Sequence, residues 1–211
     1  WNDNLTPDRV PGQILRLDPE TCLTEQYQPP FNTDAVPISG WGFSPRGLDI
    51  DRNGIIWTAL SGSGHIASFD RSKCAVLNGP TATGQHCPEG WSLYATPGPQ
   101  MNGVTDHGSA DFHYYSWVDQ HNTLGLGNNI PIATGSTSDS LLAFLPDEEE
   151  YVVMRVPYPL GFYSRGMDGR IDDPDAGWKG RAVWADYGTN AVWHSEGGKG
   201  TQGNLVKFQM R

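Results

Sequence analysis

Three groups of side chains in this sequence have the types and spacing to do chemistry. The first is His194 and Glu196, within Trp193-His194-Ser195-Glu196-Gly197-Gly198. On an extended strand these two share a face, because strand side chains alternate. A carboxylate beside an imidazole can fix its tautomer, or the pair can act as acid and base. His194 and Glu196 are the catalytic candidates; the alternative is a hydrogen-bonded loop pair. The second group is His107, Asp111 and His113. Two imidazoles and a carboxylate could hold a metal with open positions, and Asp186 is a further candidate ligand. The alternative is a polar, aromatic loop at a sheet edge. The third is a motif that occurs twice, Arg46-Gly47-Leu48-Asp49 and Arg165-Gly166-Met167-Asp168. Arg46, Asp49, Arg165 and Asp168 could bind an anionic or carbonyl-bearing ligand, or could form structural pairs where charge must not stay unpaired.

Other patterns carry less. Asp49-Ile50-Asp51-Arg52-Asn53-Gly54 opens like a calcium loop, but such a loop needs a bidentate Glu at its twelfth position. That position is Leu60, so the segment reads as a turn in which Asp and Asn satisfy local backbone donors. No P-loop, dinucleotide fingerprint, G-x-S-x-G or H-E-x-x-H occurs. No C-x-x-C occurs either, which leaves no zinc ribbon and no covalent haem site. The three cysteines are Cys22, Cys74 and Cys87, an odd number. Cys74 and Cys87 flank a Gly/Pro-rich loop and are candidates for a local disulfide.

The elements that must position these groups are short strands. From Arg46 to Asp70, period-2 apolar residues alternate with Gly/Asn/Asp turns, the pattern of an antiparallel meander. The stretch recurs: Arg165 to Asp168, then Ala182 to Ala185, then Leu205 to Phe208. Gln13 to Asp18 has the same form as His65 to Asp70. Strands are expected at Thr24–Tyr27, Trp91–Tyr94 and Phe112–Val118. A hairpin, Leu141–Leu145 with Tyr151–Val156, should turn through an acidic tip at 146–149. Residues 1–12 read as a connecting segment, and 78–90, 100–111 and 119–137 as irregular loops. A repeated four-strand meander implies an all-β fold, a β-propeller of four-stranded antiparallel blades. With blades of roughly 40–50 residues, residues 1–211 hold about four, in a single domain. The expectation is a partial propeller, with a small self-closed ring as the alternative.

The segment P-R-G-L-D-I-D-R-N-G-I-I-W, followed by G-H-I-A-S-F-D, resembles the repeat of streptogramin B lyase-like propellers and their SMP-30 and NHL relatives. The half from Val156 to Gln209 looks like a group of large bacterial secreted proteins with such propellers. The resemblance implies a divalent cation on the propeller axis and a His/Glu pair performing elimination. In that family a Glu follows the Trp strand. Here the matching positions are Ala59 and Asp186, so the first copy departs from the pattern and the second carries a shorter acid.

Composition agrees with strands and tight turns: 26 Gly, 16 Pro, 8 Trp and only 18% charged residues. The net charge of −10 argues against charge-driven binding of a nucleic-acid backbone. No apolar run approaches the ~18 residues of a membrane span. The expectations are therefore a secreted or periplasmic propeller module that binds a ligand or partner domain. Its ring would be completed by the rest of a larger polypeptide or by another chain. A metal-dependent lyase or hydrolase at the propeller funnel is the second reading, with magnesium or calcium before zinc and no nucleotide. A structural subunit of an extracellular assembly is the third.

Overall fold

The computed structural model describes residues 11–34, 36–100, 108–156, 162, 164–170, 182–187 and 204–209. Among the described residues thirteen strands form four antiparallel sheets, each built from neighbours in sequence. Sheet one is β1 (Ile14–Leu17) and β2 (Thr24–Tyr27). Sheet two is β3 (Pro45–Ile50), β4 (Ile56–Leu60), β5 (His65–Phe69) and β6 (Trp91–Ala95). Sheet three is β7 (Ser116–Asp119), β8 (Ile130–Gly135), β9 (Ser140–Leu145) and β10 (Glu150–Arg155). Sheet four is β11 (Met167–Arg170), β12 (Ala182–Tyr187) and β13 (Asn204–Phe208).

The turns show why the pattern repeats. Asp51, just after β3, accepts the backbone N–H groups of Asn53 and Ile55 on Oδ1. Asp119, at the end of β7, accepts those of Thr123 and Leu124. After β1, Asp18 accepts from Glu20 and Thr21; after β5, Asp70 accepts from Ser72. A short acidic side chain thus mimics a backbone turn at each strand end. Since the run Gln13–Asp18 has the form of His65–Asp70, β1 and β2 correspond to β5 and β6, the third and fourth strands of a complete sheet.

The sheets stack face to face. Ile14 and Tyr27 of sheet one pack with Leu60, Ala67, Phe69 and Trp91 of sheet two. The opposite face of sheet two contributes Trp57, Ala59 and Ile66, which meet Val118, Ala133 and Phe144 of sheet three. Sheet three then packs Ile132, Leu141 and Ala143 against Met167, Val183, Ala185 and Phe208 of sheet four. The first strands β3, β7 and β11 lie side by side, with β7 between the other two.

Two expectations about the middle of the chain are corrected. Residues 119–137 are not one irregular loop: β8 runs through them, and all six of its residues are buried. Pro131 obscures it in the sequence, because proline cannot donate to a ladder. It pairs with Val118 of β7 and lies just outside the β8–β9 ladder, which begins at Ile132. Conversely, the strand expected from Phe112 starts only at Ser116. The N–H groups of Tyr114 and Tyr115 are taken by the side-chain hydroxyl of Thr134 on β8 instead of a backbone carbonyl. The hairpin at 146–149 forms as expected, and Cys74 and Cys87 are bonded. Cys22 is free and exposed.

Candidate functional site

The starts of β3, β7 and β11 come together at one end of the stacked sheets, and both copies of the R-G-[LM]-D motif lie there. In the first copy Gly47 adopts φ +61 inside a break in the β3–β4 register. A Cβ at this glycine would stand 2.7 Å from the Ser116 nitrogen, so only glycine lets β3 approach β7 this closely. Asp49 then accepts the Val118 N–H of β7 on Oδ2 at 2.9 Å and that of Ile50 on Oδ1 at 2.8 Å. Its carboxylate braces two first strands against each other.

Arg46 turns the other way, toward the segment that leads into β7. Its guanidinium carbon lies 5.2 Å from the Tyr114 ring centroid and 5.7 Å from that of Phe112. Arg165, from the second copy, also lies 5.2 Å from the Tyr114 centroid. Two cations from different sheets thus converge on one aromatic ring, at the spacing of cation–π contacts. Asp168 sits on β11, exposed and opposite Trp184.

Asp186 belongs to the same corner. Its Oδ1 accepts the N–H groups of Arg165 (2.9 Å) and Gly166 (2.8 Å) and the Ser164 hydroxyl (3.1 Å). This oxygen therefore shapes the turn that presents Arg165. Ala59, at the corresponding place in sheet two, has no such group.

Asp111 and His113 sit nearby, between sheets two and three, and both are buried. Asp111 accepts the N–H groups of Thr137 and Ser138 on Oδ1 and the Ser138 hydroxyl on Oδ2. The His113 ring is fully buried. Its Nδ1 lies 2.9 Å from the Thr134 carbonyl, which can only accept, so Nδ1 carries the proton. Nε2 lies 2.9 Å from the Thr96 hydroxyl, which also lies 2.9 Å from the Gly64 carbonyl and 2.7 Å from the Ser109 hydroxyl. Burial holds the His113 pKa below its ordinary value, against the opposing pull of the Asp111 charge and the Thr134 carbonyl. This is a neutral network that locks sheet two to sheet three.

Of the metal candidates, then, Asp111 and His113 come close together with their polar atoms engaged by protein groups. Among the described residues no three His, Cys, Asp or Glu side chains gather as a metal site. His107, His194 and Glu196 lie outside the described residues. What the sequence did not suggest is the role of Phe112 and Tyr114. Read as a strand, 112–118 would put them simply on one face, whereas they gather both arginines.

No family model matches the chain, and no curated protein matches it. Solved structures do. Streptogramin B lyase superposes with a TM-score of 0.50 at 12% identity, covering 95% of this chain and 48% of its own. Virginiamycin B lyase from Staphylococcus aureus gives a TM-score of 0.49 at 12% identity, with 95% of this chain and 49% of its own covered. The chain spans about half the length of these proteins. Among the described residues no helix is long and apolar enough to cross a membrane. The likeness shows the fold: the chain is built as a β-propeller is built, with an architecture similar to that of streptogramin B lyase.

Proposed function

We propose that this chain is part of an extracytoplasmic β-propeller module whose ring is completed by further strands. The module binds a ligand or partner domain at the end where β3, β7 and β11 begin, with Arg46, Asp49, Arg165 and Asp168 around the site. The observation that carries the reading is a difference between the two motif copies. Met167 is 6% exposed and Leu48, its counterpart, is 49% exposed. Met167 is covered by sheet three, which has four strands. Leu48 and Ile50 face the side of sheet one, where only a third and a fourth strand stand among the described residues. A first and a second strand in that place would cover them and pair with β1. The face of β1 that carries Leu15 and Leu17 (59% and 64% exposed) would meet the next blade, as each other sheet meets its neighbour. The Cys74–Cys87 bond supports an oxidising compartment.

Open strand edges and uncovered apolar faces drive association. The test is light scattering on the full 211-residue chain, with binding of a hydrophobic dye read on the same sample. The reading expects self-association, or strong dye binding that Leu15→Lys with Leu17→Lys removes. A monodisperse monomer that ignores the dye overturns it.

A further inference from the structure

We propose that Asn78 is a site of spontaneous covalent modification, a deamidation that the fold permits there and suppresses at Asn53. An asparagine followed by glycine can lose its amide nitrogen without an enzyme. Glycine has no side chain to block the approach of its own backbone nitrogen to the asparagine side chain. The chain has three such pairs, Asn53-Gly54, Asn78-Gly79 and Asn102-Gly103. The third lies outside the described residues. The first two are both exposed, so access to water does not separate them. Their backbone hydrogen bonds do. In the turn between β3 and β4, Asp51 Oδ1 accepts the N–H groups of Asn53 at 2.8 Å and Ile55 at 2.9 Å, and the Asp51 carbonyl accepts that of Gly54 at 3.0 Å. The Arg52 N–H, donated to Asn129 Oδ1 at 3.1 Å, ties the same turn to the start of β8. Attack on Asn53 requires the Gly54 nitrogen to leave its acceptor and the turn to open. Asn78-Gly79 lies instead in the loop closed by the Cys74–Cys87 bond. Among the described residues nothing accepts the Gly79 N–H, and nothing bonds the Asn78 side chain. Nucleophile and electrophile are both unrestrained.

The step balances with water as the co-reactant. The Gly79 nitrogen gives its proton to hydroxide and attacks Asn78 Cγ. A Cγ–N bond forms, the bond from Cγ to the side-chain nitrogen breaks, and ammonia leaves with protons from water. Water then opens the five-membered imide. Opening at Cγ leaves an aspartate, and opening at the main-chain carbonyl leaves an isoaspartate, whose backbone runs through the former side chain. Nothing is oxidised or reduced. Either product adds a negative charge to a chain already at −10. The change stays within the loop, because the disulfide, the Ala75 N–H on Glu89 and the Gln28 N–H on the Gly84 carbonyl hold it on either side.

The experiment ages the full chain in mildly alkaline buffer and samples it over time. Each sample is reduced and cut with trypsin and a Glu-specific protease. Cleavage after Arg52, Arg71, Lys73 and Glu89 places Asn53 and Asn78 on separate peptides, and mass spectrometry scores the change of amide to acid on each. In the folded chain Asn78 should react about tenfold faster than Asn53, or more, the worth of one or two backbone hydrogen bonds that must open first. In urea, with the disulfide kept, that ratio should collapse toward one because Asn53 speeds up. Equal rates in the folded chain overturn the proposal. So does a ratio that survives urea, since the difference would then belong to the local sequence and not to the fold.

Discussion

The junction between sheets one and two and the junction between sheets two and three use the two faces of sheet two in different ways. On the first side, sheet two meets only β1 and β2. The apolar contact is centred on Tyr27 and Phe69, with ring centroids 4.7 Å apart, and Leu48 and Ile50 stay outside it. A charged clamp reinforces it: Glu25, buried on β2, accepts two hydrogen bonds from Arg71 at 2.6 Å and one from the Tyr27 hydroxyl at 2.7 Å. On the second side a whole four-stranded sheet arrives. Phe144 packs against Trp57 and Tyr94, and the polar seam is the neutral His113–Thr96–Ser109 chain. A broad apolar contact tolerates a neutral seam, whereas a narrow one leans on ions that keep partial access to water.

The largest effects should come from breaking that contrast in the core. Met167→Ala should cost about 2–4 kcal/mol, the usual range for emptying a filled core position. Leu48→Ala should cost less than about 1 kcal/mol, since an exposed side chain loses little. Urea unfolding of the two variants compares them directly, and equal losses would mean that Leu48 is covered. A partner that completes the ring should raise the cost at Leu48 and leave that at Met167 unchanged.

A smaller effect separates the seams. Glu25→Gln should cost about 1–3 kcal/mol, because the buried carboxylate exchanges a bidentate ion pair for a neutral amide. Arg71→Gln should cost more, because it leaves the buried Glu25 carboxylate without its bidentate partner, and the double variant should recover part of the sum. Purely additive losses in that cycle would show that the pair does not couple.

The smallest effects appear as slopes against pH. Burial lowers the folded pKa of His113, so the unfolded chain takes up the proton first. Stability from the second junction should therefore fall as pH drops below about 6.5. Hydrogen bonds from Arg71 first, and from Tyr27, hold the Glu25 carboxyl below its ordinary value. Its contribution is complete above about pH 4.5 and is lost as pH falls through the lower folded value. In unfolding profiles taken across this range, His113→Gln should flatten the upper limb and Glu25→Gln the lower. A profile in which His113→Gln changes only the acid limb would assign the neutral seam wrongly.

Much of this architecture could be read from residue order. The turns at Asp51 and Asp70, the apolar alternation of β4 and β5 and the proline-free hairpin strands β9 and β10 are local events, and local chemistry dictates them. β8 was hidden because Pro131 removes a donor, and only the end of the β9 ladder shows that none is needed there. The site was less legible. The repeated R-G-[LM]-D motif marked Arg46 and Arg165, but nothing in their spacing says that both reach Tyr114. That meeting depends on Gly47 bringing β3 onto Ser116 and on Asp186 bending the turn before β11, contacts between distant parts of the chain. The His113 network was equally silent, because Thr96 and Ser109 reach it from loops with no strand periodicity.

Every sheet here is made from consecutive strands, which bears on how the chain acquires its shape. Sheets two and three can each form as soon as their own residues have emerged from synthesis or export, without waiting for a distant partner. The β1–β2 pair cannot, since an isolated two-stranded hairpin is marginal in water. Its buried face, Ile14 and Tyr27, packs on Phe69, and its Glu25 pairs with Arg71, all supplied by residues made later. For this pair, then, packing follows the synthesis of β5 and the turn after it.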